Sequence, residues 1–290
     1  MSDQVKLLPP DALAGVRLGI SVSQSADLGR LGLSEAHFRL TLGELARLVL
    51  VGGGTLAYGG HLRPDGYTTY LVDELLRYGG RTDRPLLICL AWQEHRELPL
   101  AELRVRKRAL GLFGELVCLD VDGNEIDPAA GRGNDPELVP DPVIRKCALT
   151  GLRRYLRRRT QGRLVLGGKT HDFQGELPGL MEEVLVALEG PEPQPVYLAG
   201  GFGGVTADIV KALRVDDLSW LPPDAGAPPP DPRLLEGHRR LEVHAAAPGW
   251  KGLNNGLSAD ENRRLAATCR PSEVAALVSL GLGRRFAKKT

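Results

Sequence analysis

Three times in this chain an apolar run ends in paired glycines and a helical pattern follows. Gly59-Gly60 closes the run through Tyr58 and precedes Tyr67 and Thr68. Gly167-Gly168-Lys169 closes a run from Arg163 and precedes Pro178 and the pair Glu182-Glu183. Gly200-Gly201-Phe202-Gly203-Gly204 closes a run from Pro195 and precedes Thr206 and Asp208. A strand that ends in glycines at a helix amino end lets backbone N–H groups approach an anion with no Cβ in the way, and the helix dipole favours negative charge there. One such junction is ordinary, since tight strand-to-helix turns use glycine anyway. Three point to a phosphate-bearing ligand.

Other residues could complete such a site. Ser21 and Ser23 end the first apolar run, where an open parallel sheet places its ligand crevice. Tyr58 and Tyr67 flank the first glycine pair and could stack on a base, although Tyr58 could equally be buried in its strand. Arg153 carries a fork that suits phosphate or carboxylate. Glu182 and Glu183 could accept from ribose hydroxyls or act as a general base, or simply answer a helix dipole. The cluster Arg157 to Arg159 reads as solvated cations at a helix carboxyl end. No histidine has metal-ligand spacing, so no metal is expected. G-x-G-x-x-G is absent and no acidic residue follows in the usual register, which disfavours nicotinamide chemistry; no cofactor is expected.

These groups need elements to hold them. Residues 16–22 predict a strand. A helix follows Ser34 with Phe38, Leu42, Leu45 and Leu48 on one face. A helix from Tyr67 is expected to end at Gly79-Gly80. Residues 85–91 and 115–121 read as buried strands, the second closing at Asp122-Gly123. Asp141-Pro142 opens a helix. Strand from Arg163, helix from Pro178, strand from Val196 and helix from Val205 continue the alternation. The expectation is an α/β, Rossmann-like parallel sheet with helices on both faces. Residues 1–15 read as a loose leader, 16–220 as the sheet domain, and 221–232 as a stiff proline-rich connector. Residues 233–290 read as a helical extension packed on the same domain, with a capping box at Ser258 and Glu261.

The 290 residues, 42% hydrophobic and 25% charged, suit a globular protein with a large core. A formal charge of +1 offers no global field for nucleic acid. No apolar run approaches the ~20 residues of a membrane span, and the amino-terminal segment lacks a signal-peptide core. The four cysteines are scattered without C-x-x-C, so no disulfide frame is implied and a cytoplasmic protein is expected.

Together these segments resemble the SLOG superfamily, the Rossmann-like group that includes the LOG phosphoribohydrolases and the DNA-processing Smf/DprA proteins. The match runs through Thr150 and Arg153 to Gly167-Gly168-Lys169 and then to Gly179, Glu182 and Glu183, the order of arginine helix, glycine loop and acidic helix in LOG-like proteins. The loop at Gly200 to Gly204 resembles that of members tied to bacterial conflict systems, and the stretch from Asn255 to Leu265 resembles their carboxyl-terminal end. Two departures stand out. Residues 169–178 separate the glycines from the glutamates, where LOG enzymes have a compact P-G-G-x-G-T-x-x-E loop. In the third loop Ala207 stands in the glutamate's place, with Asp208 next.

The resemblance implies a sensor of a nucleotide-derived signal, ADP-ribose-like or related, coupled to an effector protein and acting as a homo-oligomer. The ligand set is Ser21, Ser23, Tyr58, Gly59, Gly60, Thr68, Arg153, Gly167, Gly168, Lys169, Glu183, Gly200, Gly201, Phe202, Gly203 and Gly204, sharing one crevice. The alternative is a nucleotide N-glycosidic hydrolase with Arg153 and Glu182 or Glu183 as its catalytic residues. Single-stranded DNA binding, by analogy with the DNA-processing relatives, is the last reading; the near-neutral chain disfavours it.

Overall fold

The computed structural model describes residues 11–63, 66–78, 84–111, 113–189, 192–222, 229–248, 250 and 252–287. The elements run β1 (Arg17–Ser23), α1 (Glu35–Val51), β2 (Thr55–Gly59), α2 (Tyr67–Tyr78), β3 (Leu86–Leu90), α3 (Trp92–Arg96), α4 (Leu100–Leu110), β4 (Gly114–Cys118) and α5 (Pro142–Arg159). They continue with β5 (Gly162–Gly167), α6 (Gly179–Leu188), β6 (Val196–Ala199), a 3-10 turn (Gly200–Phe202), α7 (Gly204–Ala212), α8 (Pro232–Ala246), α9 (Ala259–Ala267) and α10 (Pro271–Phe286).

The six strands form one parallel sheet in the order β4-β3-β2-β1-β5-β6. The expected Rossmann-like architecture is the one observed. Alternation along the strands decides which residues meet which helices. Leu18, Ile20 and Val22 of β1 face a core shared with Phe38, Leu42 and Leu45 of α1, Leu71 and Leu75 of α2, and Val274, Val278 and Leu282 of α10. The opposite face packs Ala57, Leu87 and Cys89 against Ala148, Leu152 and Leu156 of α5. Farther along that face, Val165 and Leu198 pack on α6, α7 and α8.

The order fixes where the chain reverses. From β1 it steps outward to β4; α5 then crosses the sheet and returns it to β5, on the other side of β1. The chain leaves β1 for α1 on one face and β5 for α6 on the other. Between the carboxyl ends of β1 and β5 this opens the crevice typical of such sheets.

Several boundaries differ from the sequence reading. Leu13, assigned to a loose leader, is wholly buried, and its N–H donates to Gly52 O at 2.8 Å. The fourth strand ends at Cys118 rather than residue 121, because the Asp120 carboxylate turns the chain by accepting from Asp122 N at 2.9 Å and Asn124 N at 2.8 Å. Helices α3 and α4 were not read at all. Arg96 pins α3 by stacking on Trp92, 4.5 Å from the ring centroid, and by donating to Ala130 O and Gly131 O. The cap expected at Gly79-Gly80 and residues 1–10 of the leader lie outside the described residues.

Candidate functional site

Ser23 and Gly167 are paired as the last residues of β1 and β5, and Gly168 N–H donates to Ser23 O at 3.0 Å. Just beyond them lies a cavity of about 420 Å³. One wall is the loop after β1, with Gln24, Ser25, Ala26 and Leu28. The other is the loop after β5, with Lys169, Thr170, His171 and Asp172; Glu35 of α1 closes one side. Lys169 is exposed and has no hydrogen-bond or ion-pair partner among the described residues. Serine, threonine, histidine and an unpaired ammonium group together can donate to an anionic, oxygen-rich molecule.

Two of the glycine junctions meet here. Gly168 O accepts from Val205 N at 3.1 Å, and Gly167 O accepts from Thr206 Oγ1 at 2.7 Å, so the amino end of α7 docks on the end of β5. The contact requires bare Cα atoms: a Cβ on Gly204, whose φ is +63°, would lie 2.4 Å from Gly168 O. An anion already sits at this helix end. Asp27 Oδ2 accepts from Gly204 N at 2.7 Å, and Arg30 Nε donates to the other carboxylate oxygen at 3.1 Å. Gly203 leaves room for that carboxylate, since its Cβ would approach Asp27 Oδ2 to 2.4 Å.

The other glycines face the chain's own atoms. A Cβ on Gly59 would lie 2.5 Å from Leu156, and one on Gly60 would lie 2.4 Å from the Tyr58 ring. Gly200 and Gly201 are covered by the carboxyl end of α9, where their Cβ atoms would meet Ala266 O at 2.9 Å and Thr268 O at 2.4 Å. Phe202 is fully buried, edge-on to Phe38 at 5.3 Å. Thr68 is buried and donates to His61 O at 2.7 Å. Tyr58 lies in the core below the crevice; burial pushes its phenol pKa up, and the charges of Glu183 and Glu94 add to the effect.

The acidic pair of α6 is engaged within the fold. Glu182 accepts from Arg153 at 2.5 Å and from Thr150 Oγ1 at 2.5 Å, and both it and Arg153 are buried. Glu183 is held by Arg163 and by the Ser21 hydroxyl, while Arg163 also donates to Ser21 Oγ at 2.7 Å. Arg163 is 1% exposed, and burial depresses its pKa while Glu183 opposes that shift. Sequence reasoning gave Arg163 no role. Its signal was a cation inside an otherwise apolar strand.

Glu94, at the start of α3, was also missed. No hydrogen bond reaches its carboxylate among the described residues. Burial raises its pKa above the ordinary 4.5; the Arg63 charge opposes this and that of Glu97 adds to it. A raised folded pKa means that folding favours the protonated acid, so this contribution to stability is present below the unfolded value and lost as pH rises through the folded one. Glu94→Gln should therefore be more stable than wild type in urea unfolding at pH 7, with the gain shrinking toward pH 4. An equal gain at both pH values would contradict this origin.

A larger cleft of about 1090 Å³ lies at the opposite, amino edge of the sheet, lined by Arg157, Arg158, His244, Trp250 and Arg285 among others. Helices α5, α6, α8 and α10 all end there. Four carboxyl ends present negative dipoles, which the arginines offset; Arg157, for example, donates to Val186 O and Glu192 O. That cleft lies away from the carboxyl edge, where a parallel sheet forms its ligand crevice. Among the described residues no cluster of three acidic, cysteine or histidine side chains could hold a metal, and no helix is long and apolar enough to cross a membrane.

The profile of the SLOG cluster2 family covers residues 12–265, and the chain belongs to that family. No curated protein and no solved structure matches it.

Proposed function

We propose that this member of the SLOG cluster2 family binds a nucleotide-derived anionic ligand between the ends of β1 and β5, and holds it rather than cleaving it. The observation that carries the second half is the state of the two glutamates. A general base must reach the attacking water with a free carboxylate oxygen. Glu182 has both carboxylate oxygens engaged, by Thr150 and Arg153, and Glu183 is tethered through Oε2 to the buried Arg163 and the Ser21 hydroxyl, which holds it against the sheet. The cavity of about 420 Å³ falls within the roughly 300–1,000 Å³ range of small-molecule sites. Lys169 is an exposed cation of that cavity with no hydrogen-bond or ion-pair partner among the described residues. The output we assign is a change of conformation or assembly passed to an effector protein.

Calorimetry with ADP-ribose and AMP, and mass spectrometry of the ligand after long incubation, test this reading. The bound molecule is expected back intact. Lys169→Ala should weaken binding about tenfold to a hundredfold, the worth of one charge-assisted contact of about 1.5–3 kcal/mol. Sustained release of free base or ribose phosphate by the wild type, lost in a folded variant without Glu183, would make the protein a hydrolase instead.

A further inference from the structure

Residues 169–178 face two ways. Their first part, through Asp172, forms a wall of the cavity. Their second part holds the start of α8. The Arg233 guanidinium stacks on Phe173, 4.1 Å from the ring centroid, and donates to Gly175 O at 3.1 Å. Asp231 aims it, accepting from Nε at 3.1 Å and from the terminal nitrogen at 2.7 Å, while also capping α8 through Arg233 N at 2.9 Å. His171, on the cavity wall, contacts Pro229 O at 3.4 Å. Between the two parts stands Asp172, a non-glycine residue in the left-handed region at φ +55°, where the chain changes direction. The opposite wall also reaches the carboxyl-terminal part of the chain, because Arg30, held by Asp27, donates to Pro222 O.

We propose that the 169–178 loop couples occupancy of the cavity to the docking of α8, with Asp172 as the pivot and the Phe173–Arg233 stack as the contact that carries the change. This rests on the ligand reading above and adds its regulation. A molecule contacting Lys169, Thr170 or His171 moves the same short segment whose far end seats Arg233. Coupling between two sites is reciprocal, so loosening α8 must loosen the cavity wall, and filling the cavity must alter α8.

Hydrogen exchange of the full chain by mass spectrometry tests both directions without a known ligand. Arg233→Ala should speed exchange roughly tenfold at 232–238 and also at 169–173, leaving β1 and β5 unchanged. Thr170→Trp, which fills the cavity, should change exchange at 232–238 by a similar factor although it touches no residue there. Arg233→Ala effects confined to α8, or a silent Thr170→Trp, would overturn the proposal. A third arm adds millimolar ADP-ribose to the wild type. Protection of 169–173 alone refutes the coupling and leaves the binding reading intact. Reciprocal effects in the two variants with no protection by ADP-ribose uphold the coupling and count against ADP-ribose as the ligand.

Discussion

Glu183→Ala is expected to lower the free energy of unfolding by roughly 3–5 kcal/mol, the usual cost of removing one partner from a buried ion pair. Arg163 is 1% exposed, and Glu183 is the carboxylate that pairs with it. Without that carboxylate, a guanidinium stays in the core with Ser21 Oγ as its one acceptor among the described residues. The cost comes from an uncompensated charge rather than from a missing contact, so the double replacement Arg163→Met with Glu183→Leu should recover most of the loss. Urea unfolding of the three proteins decides the matter. A single variant within about 1 kcal/mol of wild type would mean that water reaches Arg163 and that the pair is a surface feature. The double variant has a second use. It keeps the sheet while removing the carboxylate, which makes it the right protein in which to look for lost turnover.

The parallel sheet was legible because its strands are short, apolar and bounded by glycine. Residues 85–91 and 163–167 could hardly be anything else once helical patterns lay between them. The crevice followed from topology, since the reversal at β1 and β5 determines where a ligand sits. What the glycines do there was not legible. A paired glycine looks the same in sequence whether its missing Cβ admits a phosphate, as was read at Gly200-Gly201, or the backbone of a distant helix, as Thr268 O shows. Asp27 was invisible for a related reason: it caps a helix 177 residues away, and no local pattern announces such a partner. Arg163 could have been caught, because a charge inside a buried strand must have a counter-charge, and Glu183 was already under consideration. Helices α3 and α4 escaped because the first is a single short turn held by Arg96 and Trp92 and the second is rich in arginine and lysine.

The second large effect concerns Arg153, which the sequence assigns to the ligand and the fold sets against Glu182. Arg153→Ala should cost roughly 3–5 kcal/mol by leaving Glu182 buried beside Thr150 without its cation. It should also loosen the loop above, since the guanidinium lies within 3.1–3.4 Å of where Cβ atoms on Gly175 and Gly179 would stand. A drop in affinity in this variant is therefore ambiguous: a ligand contact and a sagging cavity wall give the same number. The pair Arg153→Met with Glu182→Leu separates them. It removes both charges together, fills the space with apolar atoms and should unfold within about 1–2 kcal/mol of wild type. If Arg153 serves the fold alone, this variant binds ADP-ribose within about fivefold of wild type, as expected for a residue that makes no charge-assisted contact to the ligand. If the arginine swings from Glu182 to a phosphate when ligand arrives, the folded double variant loses tenfold to a hundredfold in affinity, about 1.5–3 kcal/mol. Glu182 would then be released as the ligand binds, and hydrolysis would regain a free carboxylate in the first turn of α6.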